Sequence, residues 1–385
     1  MPTIYNEPRQ IPVLLLTGYL GSGKTTLLNR ILSNRKGIKF AVIVNDLGEV
    51  NIDADLIEKG GIVGQTDDSL VALQNGCICC TLKMDLVAQL ADLTRGGKFD
   101  YIVIEASGIC EPAPIAQTIS TLPQLMPQYG SNMDLPYVDS IVTVVDALRM
   151  RDEFDGGAAL ERDDIDDEDL ERLVIEQIEF CNIVLLNKAS EITPDQLGKL
   201  RSIVLSINPG AKVLACDYGD IDLDEIIYTG MFDFEQVATS AAWIAAIEGE
   251  EDEEGHEEGE ALEYGIDTHV WYRRKPMDLN KFDHFVATKW PKNIIRAKGL
   301  CYFSDDTSKC YLYEQAGRQK TIRDAGLWYA SMPKDQLEDM LQRSALLRRD
   351  WDPEYGDRMQ KIVFIGQNLD KEAIDQMMDS CLQDD

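Results

Sequence analysis

Short apolar runs alternate with helix-period segments along the first two-thirds of the chain. Ile11 to Leu16, Ile38 to Asn45, Tyr101 to Glu105, Val138 to Asp146, Cys181 to Asn187 and Ala211 to Cys216 have the length and near-continuous hydrophobicity of strands buried on both faces. Between them, Lys24 to Arg35 places Leu27, Leu28, Ile31 and Leu32 at helical spacing. Helical patterns also occupy Leu82 to Thr94, Ala113 to Leu122, Asp169 to Glu179 and Thr193 to Ile207. This alternation predicts an α/β domain with a mostly parallel sheet covered on both faces, and ligands at the carboxyl ends of its strands.

The pattern then breaks. Glu248 to Glu263 holds ten acidic residues and no lysine or arginine, so it cannot bury a core and reads as a solvated linker. Beyond it, strands are predicted at Gly265 to Arg273, Arg296 to Phe303, Lys309 to Glu314 and Lys361 to Ile365, with helices at Leu279 to Trp290 and Pro333 to Leu347. The expected organisation is a nucleotide-binding domain over 1–240, an acidic linker over 241–263 and a smaller α+β domain over 264–385. Cys301 and Cys310 lie in the last part without site-like spacing and read as buried small hydrophobes.

Charge and composition narrow the class. The net charge of −31 disfavours nonspecific binding to nucleic acid or anionic membranes. No apolar run approaches the roughly 18 residues of a membrane span, and the opening MPTIYNEPRQ lacks the regions of a signal peptide. A cytoplasmic location is therefore expected. The nine cysteines are expected to be thiols there, which makes any cluster of them a metal or redox candidate.

Two motifs carry chemistry. Gly18-Tyr-Leu-Gly21-Ser22-Gly23-Lys24-Thr25 follows the first predicted strand and opens the first helix, as a G-x-x-x-x-G-K-[ST] phosphate loop must. Its glycines let backbone N–H groups wrap a polyphosphate, Lys24 reaches the terminal phosphates and Thr25 the Mg²⁺. Glu105 closes the apolar run Tyr101 to Glu105 and is followed by Ser107-Gly108. A carboxylate there holds the Mg²⁺ water shell or orients the attacking water, and the Gly108 N–H senses the γ-phosphate. Asn45-Asp46-Leu-Gly48-Glu49 is placed as a switch segment whose carboxylates face either the nucleotide or a second metal.

The second motif is Gly76-Cys77-Ile78-Cys79-Cys80. Three thiols within four residues suit Zn²⁺, Cu(I) or another soft ion, separate from the oxygen-ligated Mg²⁺. A redox-active thiol pair and inert buried cysteines are the competing readings. Three sulfurs leave a fourth tetrahedral position open, which suits a carrier.

Taken together, Gly18 to Thr26, Asn45-Asp-Leu-Gly-Glu49, Asn75-Gly-Cys-Ile-Cys-Cys80 and Glu105-Ala-Ser-Gly108 resemble the CobW-type GTPases, relatives of UreG and HypB. Arg296-Ala-Lys-Gly299, Asp352-Pro-Glu-Tyr-Gly-Asp357 and Val363-Phe-Ile-Gly366 look like that family's C-terminal domain. The resemblance implies a metallochaperone that binds GTP with Mg²⁺ and hydrolyses it slowly. It would couple nucleotide state to holding Zn²⁺, or cobalt in some members, for delivery to a client metalloprotein. Carried over by residue, Gly18, Gly21, Ser22, Gly23, Lys24, Thr25, Thr26 and Gly108 bind phosphates, with Lys24 and Glu105 catalytic. Thr25 and Glu105 serve Mg²⁺, Asn187 and Lys188 take the base, and Cys77, Cys79, Cys80 and Glu49 take the transition metal.

Three positions depart from the family pattern. The guanine signature Asn-Lys-x-Asp reads Asn187-Lys-Ala-Ser190, and a neutral serine cannot accept from guanine N1 and N2 as a carboxylate does. Adjacent Glu191 is one substitute, and ATP or relaxed specificity is the alternative. Asp46 stands where glutamate is usual, and the linker is acidic rather than His-rich. Two other classes remain in view: a nucleotide-dependent metal or redox sensor without significant turnover, and a small-molecule kinase. The second lacks an acceptor-binding Asp-Arg pair or an arginine-clustered lid. Client, physiological metal and oligomeric state are not encoded in any of these motifs.

Overall fold

The computed structural model describes residues 9–33, 37–44, 70–72, 83–95, 97–108, 110–125, 134–154, 167–233, 266–316, 319–343, 347–348 and 351–384. The chain divides into two compact units, Met1–Ala241 and Ala242–Asp385.

The first unit is built on a seven-stranded sheet. Its strands are β1 (Gln10–Thr17), β2 (Phe40–Val44), β3 (Leu70–Ala72), β4 (Tyr101–Glu105), β5 (Leu135–Asp146), β6 (Ile183–Asn187) and β7 (Lys212–Ala215). They lie in the order β3-β2-β4-β1-β5-β6-β7, and every neighbouring pair is parallel. Helices α1 (Lys24–Leu32), α2 (Lys83–Thr94), α3 (Pro112–Leu125), α4 (Ala147–Phe154), α5 (Asp167–Glu179) and α6 (Pro194–Ile207) provide the crossovers that parallel pairing requires. Val13 to Leu16 and Ala41 to Val44 are fully buried, as a sheet covered on both faces demands. On one face Leu14, Leu16, Val42 and Val103 pack with Leu27, Leu28 and Ile31 of α1.

The chain leaves β1 for one side of the sheet, inserts β4 beside β1, and then builds β5, β6 and β7 on the other side. Because all seven strands point the same way, the segments that follow β1, β4, β5, β6 and β7 emerge at one edge. Register aligns their ends: Leu16 opposes Glu105, and Asp146 opposes Asn187. A central strand flanked on both sides is where an open α/β sheet binds its ligand.

The second unit is a five-stranded antiparallel sheet of β8 (Ile266–Arg273), β9 (Ile294–Phe303), β10 (Asp306–Ala316), β11 (Gln319–Leu327) and β12 (Gln360–Gln367), in the order β11-β10-β9-β12-β8. Its helices are α7 (Leu279–Thr288), α8 (Lys334–Arg343) and α9 (Lys371–Asp379). Phe282 and Phe285 of α7 and Ile374 and Met378 of α9 pack on Trp271, Ala297, Cys301, Phe303, Tyr313, Ile362 and Phe364. Asp278 and Asp370 cap these helices by accepting backbone N–H groups. Cys301 and Cys310 are buried, as expected of small core residues, and burial pushes the Cys310 thiol up to about 12.

The architecture is the expected one, and among the described residues four strands or α-helices go beyond those the pattern predicts. Strand β3 has three residues, too few for an alternation to register. The edge strand β11, QKTIRDAGL, is polar, and its pairing comes from β10 rather than from its own hydrophobicity. Helix α4 continues directly from β5, and α9 is a short helix that buries Ile374 and Met378 in the core, with Met377 packed partly against it. The acidic stretch Glu248 to Glu263 lies outside the described residues. Among the described residues, no helix is long and apolar enough to cross a membrane.

Candidate functional site

The loop between β1 and α1 turns through three glycines with positive φ: Gly18 at 130°, Gly21 at 82° and Gly23 at 112°. Only glycine adopts the first and last without strain, and space is equally limiting. A Cβ on Gly18 would meet the Val144 carbonyl oxygen at 2.2 Å, and one on Gly23 would meet Asn187 Nδ2 at 2.3 Å. The loop backbone is therefore pressed directly against β5 and the end of β6. Lys24 folds back into it, its Nζ donating to the carbonyl oxygens of Gly18 at 2.6 Å and Tyr19 at 3.2 Å. The Ser22 hydroxyl is buried in the same turn with no hydrogen-bond partner among the described residues.

The neighbouring strands contribute three anchors. At the end of β4, Glu105 is 2% exposed, and its Oε1 accepts from Thr25 Oγ1 at 3.3 Å. Gly108, three residues on, touches the loop directly, since a Cβ there would meet the Leu20 nitrogen at 2.7 Å. Gln177 of α5 donates to the carbonyls of Gly108 and Cys110 at 3.4 and 3.3 Å and so holds this segment from behind. At the end of β5, the Asp146 backbone exchanges two 3.1 Å hydrogen bonds with the Tyr19 hydroxyl. Asp146 also forms an ion pair with Lys188.

At the end of β6, Asn187 spans the site. Its Nδ2 donates to the Ser22 carbonyl at 2.8 Å, and its Oδ1 accepts from the Gly219 N–H at 3.1 Å. Lys188 and Tyr218 both occupy the left-handed backbone region, at φ 60° and 52°. Non-glycine residues seldom hold that conformation, and here it occurs in the turns after β6 and β7. Arg30 fixes the Tyr218 carbonyl from α1 at 2.7 Å, while the Tyr218 side chain is 74% exposed.

Of the sequence-derived candidates, Gly18, Gly21, Ser22, Gly23, Lys24, Thr25, Thr26, Glu105, Gly108, Asn187 and Lys188 all fall at this one sheet edge. Glu49, Cys77, Cys79 and Cys80 lie outside the described residues. Among the described residues there is no group of three His, Cys, Asp or Glu side chains that could hold a metal. The motifs alone did not single out Tyr19, Asp146, Gln177 or Asp217. Asp146 had a readable signal, since it ends its strand as Glu105 ends β4, and Tyr19 lies inside the phosphate loop itself; Gln177 is brought in by α5, and Asp217, which accepts from the Ser190 hydroxyl at 2.9 Å, by the segment after β7.

Thr25 and Glu105 set a hydroxyl beside a carboxylate, an all-oxygen pair of the kind a hard cation takes. The orphaned Ser22 hydroxyl and the Lys24 ammonium, now satisfied by carbonyls, fit a polyphosphate in the same turn.

Comparison with known proteins gives the family of both units. A model of the CobW/HypB/UreG nucleotide-binding domain matches residues 12–215, and one of the cobalamin synthesis protein cobW C-terminal domain matches residues 266–382. The chain is 33% identical to a Dictyostelium discoideum protein named zinc-regulated GTPase metalloprotein activator 1, over 98% of this chain and 80% of that protein. It is 30% identical to the Escherichia coli protein named zinc chaperone YjiA, over 94% of this chain and 96% of that one. A crystal structure of Zn(II)-bound YjiA GTPase from E. coli aligns at a TM-score of 0.42 and 22% identity, covering 98% of this chain and all of the other.

Proposed function

This chain belongs to the CobW family of P-loop nucleotide-binding proteins, and from that premise we propose that it is a GTP-hydrolysing metallochaperone. In this reading it binds GTP with Mg²⁺ over residues 1–240, turns it over slowly, and carries Zn²⁺ or a similar ion, such as cobalt, to a client metalloprotein. The names of the curated relatives support zinc and GTP. The single observation that carries the proposal is the convergence of the loop after β1 with Glu105 and Asn187. Lys24, Thr25, a strand-end acid and a base-side asparagine are the parts phosphoryl transfer from a nucleotide requires.

The residues act as follows. Incoming phosphate oxygens replace the Gly18 and Tyr19 carbonyls as partners of the Lys24 ammonium, and backbone N–H groups of Gly21 to Thr26 complete the cradle. Thr25 and Glu105 would hold the Mg²⁺, which would supply positive charge to offset that of the phosphates. Glu105 also orients the attacking water, and the Gly108 N–H reports the presence of the γ-phosphate. Asn187 keeps the cradle closed through Ser22 and, with Lys188, lines the base.

The metal cargo is assigned to Cys77, Cys79 and Cys80, with Glu49 as the fourth ligand. Those residues lie in sequence between β2 and α2, and the segment carrying them follows β2 and precedes β4, the strand that ends in Glu105. Loss of the γ-phosphate then moves a ligand of the cargo, which couples the two occupancies.

The test is an anaerobic Zn²⁺ titration with and without a non-hydrolysable GTP analogue. Lys24→Ala abolishes nucleotide binding and keeps Zn²⁺ stoichiometry, and Cys79→Ala does the reverse. Full Zn²⁺ stoichiometry in Cys79→Ala would remove the metal assignment. Zn²⁺ affinity that ignores the nucleotide would remove the coupling.

A further inference from the structure

Ser190 carries no charge where a guanine-reading carboxylate is expected, but a carboxylate sits directly on it. The Ser190 backbone N–H and hydroxyl both donate to Asp217 Oδ1, at 3.0 and 2.9 Å. Asp217 reaches this place because β7 runs parallel to β6 and the segment after it is pinned at successive residues. The Cys216 N–H donates to the Leu186 carbonyl at 2.9 Å and the Ala189 N–H to the Cys216 carbonyl at 3.2 Å. Gly219 is held by Asn187, which also holds the phosphate loop through Ser22. The Asp217 carboxylate is half-buried and lies two residues from that anchor. Among the described residues its Oδ2 accepts no hydrogen bond, both recorded bonds falling on Oδ1.

We propose that Asp217, positioned by Ser190, is the residue that selects guanine in this site. This rests on the guanine-nucleotide reading given above and adds the identity of its selector. Guanine presents two adjacent donors, N1–H and the 2-amino group. Ser190 has committed its hydroxyl proton to Oδ1, so its oxygen lone pairs remain available as acceptors. The anionic Oδ2 is the second acceptor. Together they replace the two carboxylate oxygens of the usual aspartate, with the charge moved from β6 to β7. Adenine places a lone pair at N1 and no donor at C2, so the same carboxylate would lose water there and gain nothing. The other nearby acid, Glu191, is exposed at the end of a one-turn 3₁₀ helix and shows no such bond to Ser190.

The test uses the full chain with Mg²⁺ and fluorescent GDP, ADP and xanthosine diphosphate, whose base carries an oxygen in place of the 2-amino group. In Asp217→Asn the amide oxygen still accepts from Ser190, while the NH₂ turns an acceptor into a donor. Wild type is expected to prefer GDP over ADP. Asp217→Asn should lose GDP affinity by about 10- to 100-fold, the range of a charge-assisted hydrogen bond, and gain xanthosine diphosphate by at least about tenfold. A gain cannot come from misfolding. The exchange variant S190D/D217S should keep the guanine preference, and Glu191→Gln should behave as wild type. If Asp217→Asn binds GDP as wild type does, or if the loss and gain appear in Glu191→Gln instead, Asp217 is not the selector. If wild type itself shows no preference for GDP over ADP, the guanine reading falls and Asp217 falls with it, an outcome visible before any variant is made.

Discussion

Replacing Asn187 by alanine offers the sharpest test of how the nucleotide edge is held together. Asn187 is 2% exposed and bridges the phosphate loop and the loop after β7: it donates to the Ser22 carbonyl at 2.8 Å and accepts from the Gly219 N–H at 3.1 Å. Alanine leaves both backbone groups without that partner in a place water reaches poorly. Each orphaned buried group costs about 1 to 3 kcal/mol, so the pair should cost about 2 to 6 kcal/mol of stability. Nucleotide affinity should fall as well, because a loop no longer tied at Ser22 spends only part of its time in the binding geometry. If the tether favours that geometry by about 1.4 to 2.8 kcal/mol, the apparent Kd rises by about 10- to 100-fold. Asn187→Asp separates the two bonds: it keeps an acceptor for Gly219 but sets an anionic oxygen against the Ser22 carbonyl. It should be at least as destabilising as alanine, because the buried charge faces an acceptor, and should recover none of the affinity. The assays are urea unfolding of the full chain followed by far-ultraviolet circular dichroism, and equilibrium binding of a fluorescent guanine nucleotide. Asn187→Ala with stability within about 0.5 kcal/mol and affinity within about twofold of wild type would refute the bridge.

Gly108→Ala forces a methyl group to within 2.7 Å of the Leu20 nitrogen, so the phosphate loop must shift; nucleotide affinity should drop about tenfold or more with the melting temperature little changed, and an unchanged Kd would contradict it. Glu314 is buried among Arg296, Lys298 and Arg323, and although burial alone raises its pKa, the three cations outweigh it and hold the carboxyl below its ordinary value. A depressed folded-state pKa means the stability it contributes is present above the unfolded value of 4.5 and is lost as pH falls through the folded one. Glu314→Gln should therefore cost about 3 kcal/mol at pH 7 and flatten the acid side of the stability profile; equal acid sensitivity in variant and wild type would exclude this. Burial raises the Cys181 thiol to about 12 and the Cys216 thiol to about 11, and all six described cysteines are buried. Those six should resist a thiol reagent until the chain unfolds, leaving Cys77, Cys79 and Cys80 as the fast-reacting set and Zn²⁺ as its protectant. Counting reacted thiols by mass spectrometry with and without Zn²⁺ decides it, and rapid labelling of Cys181 or Cys216 would show the reasoning to be wrong.

The parallel sheet was legible because its strands announce themselves. Ile11 to Leu16 and Tyr101 to Glu105 are continuous apolar runs, and only burial on both faces explains such runs between helix-period segments. The phosphate loop was legible for a related reason: its chemistry is local, and glycine spacing followed by Lys24-Thr25 records it within eight residues. Elements whose stability comes from a neighbour were not. Strand β11 is polar and is ordered by its pairing with β10, and α9 is a short helix that buries Ile374 and Met378 with Met377 packed partly beside them.

The chain's own order of residues thus determined the fold class, the phosphate loop, the strand-end Glu105 and the family resemblance, since each depends on near neighbours in sequence. Tertiary structure alone decided which distant groups share the nucleotide edge. Asn187 reaches Ser22 across 165 positions, and Asp217 reaches Ser190 across 27. Both meetings follow from the strand order, because β5, β6 and β7 are laid in parallel beside β1 and deliver their final residues to one place. A sequence lists Ser190 as a missing charge, and the adjacent strand is what brings a carboxylate to it.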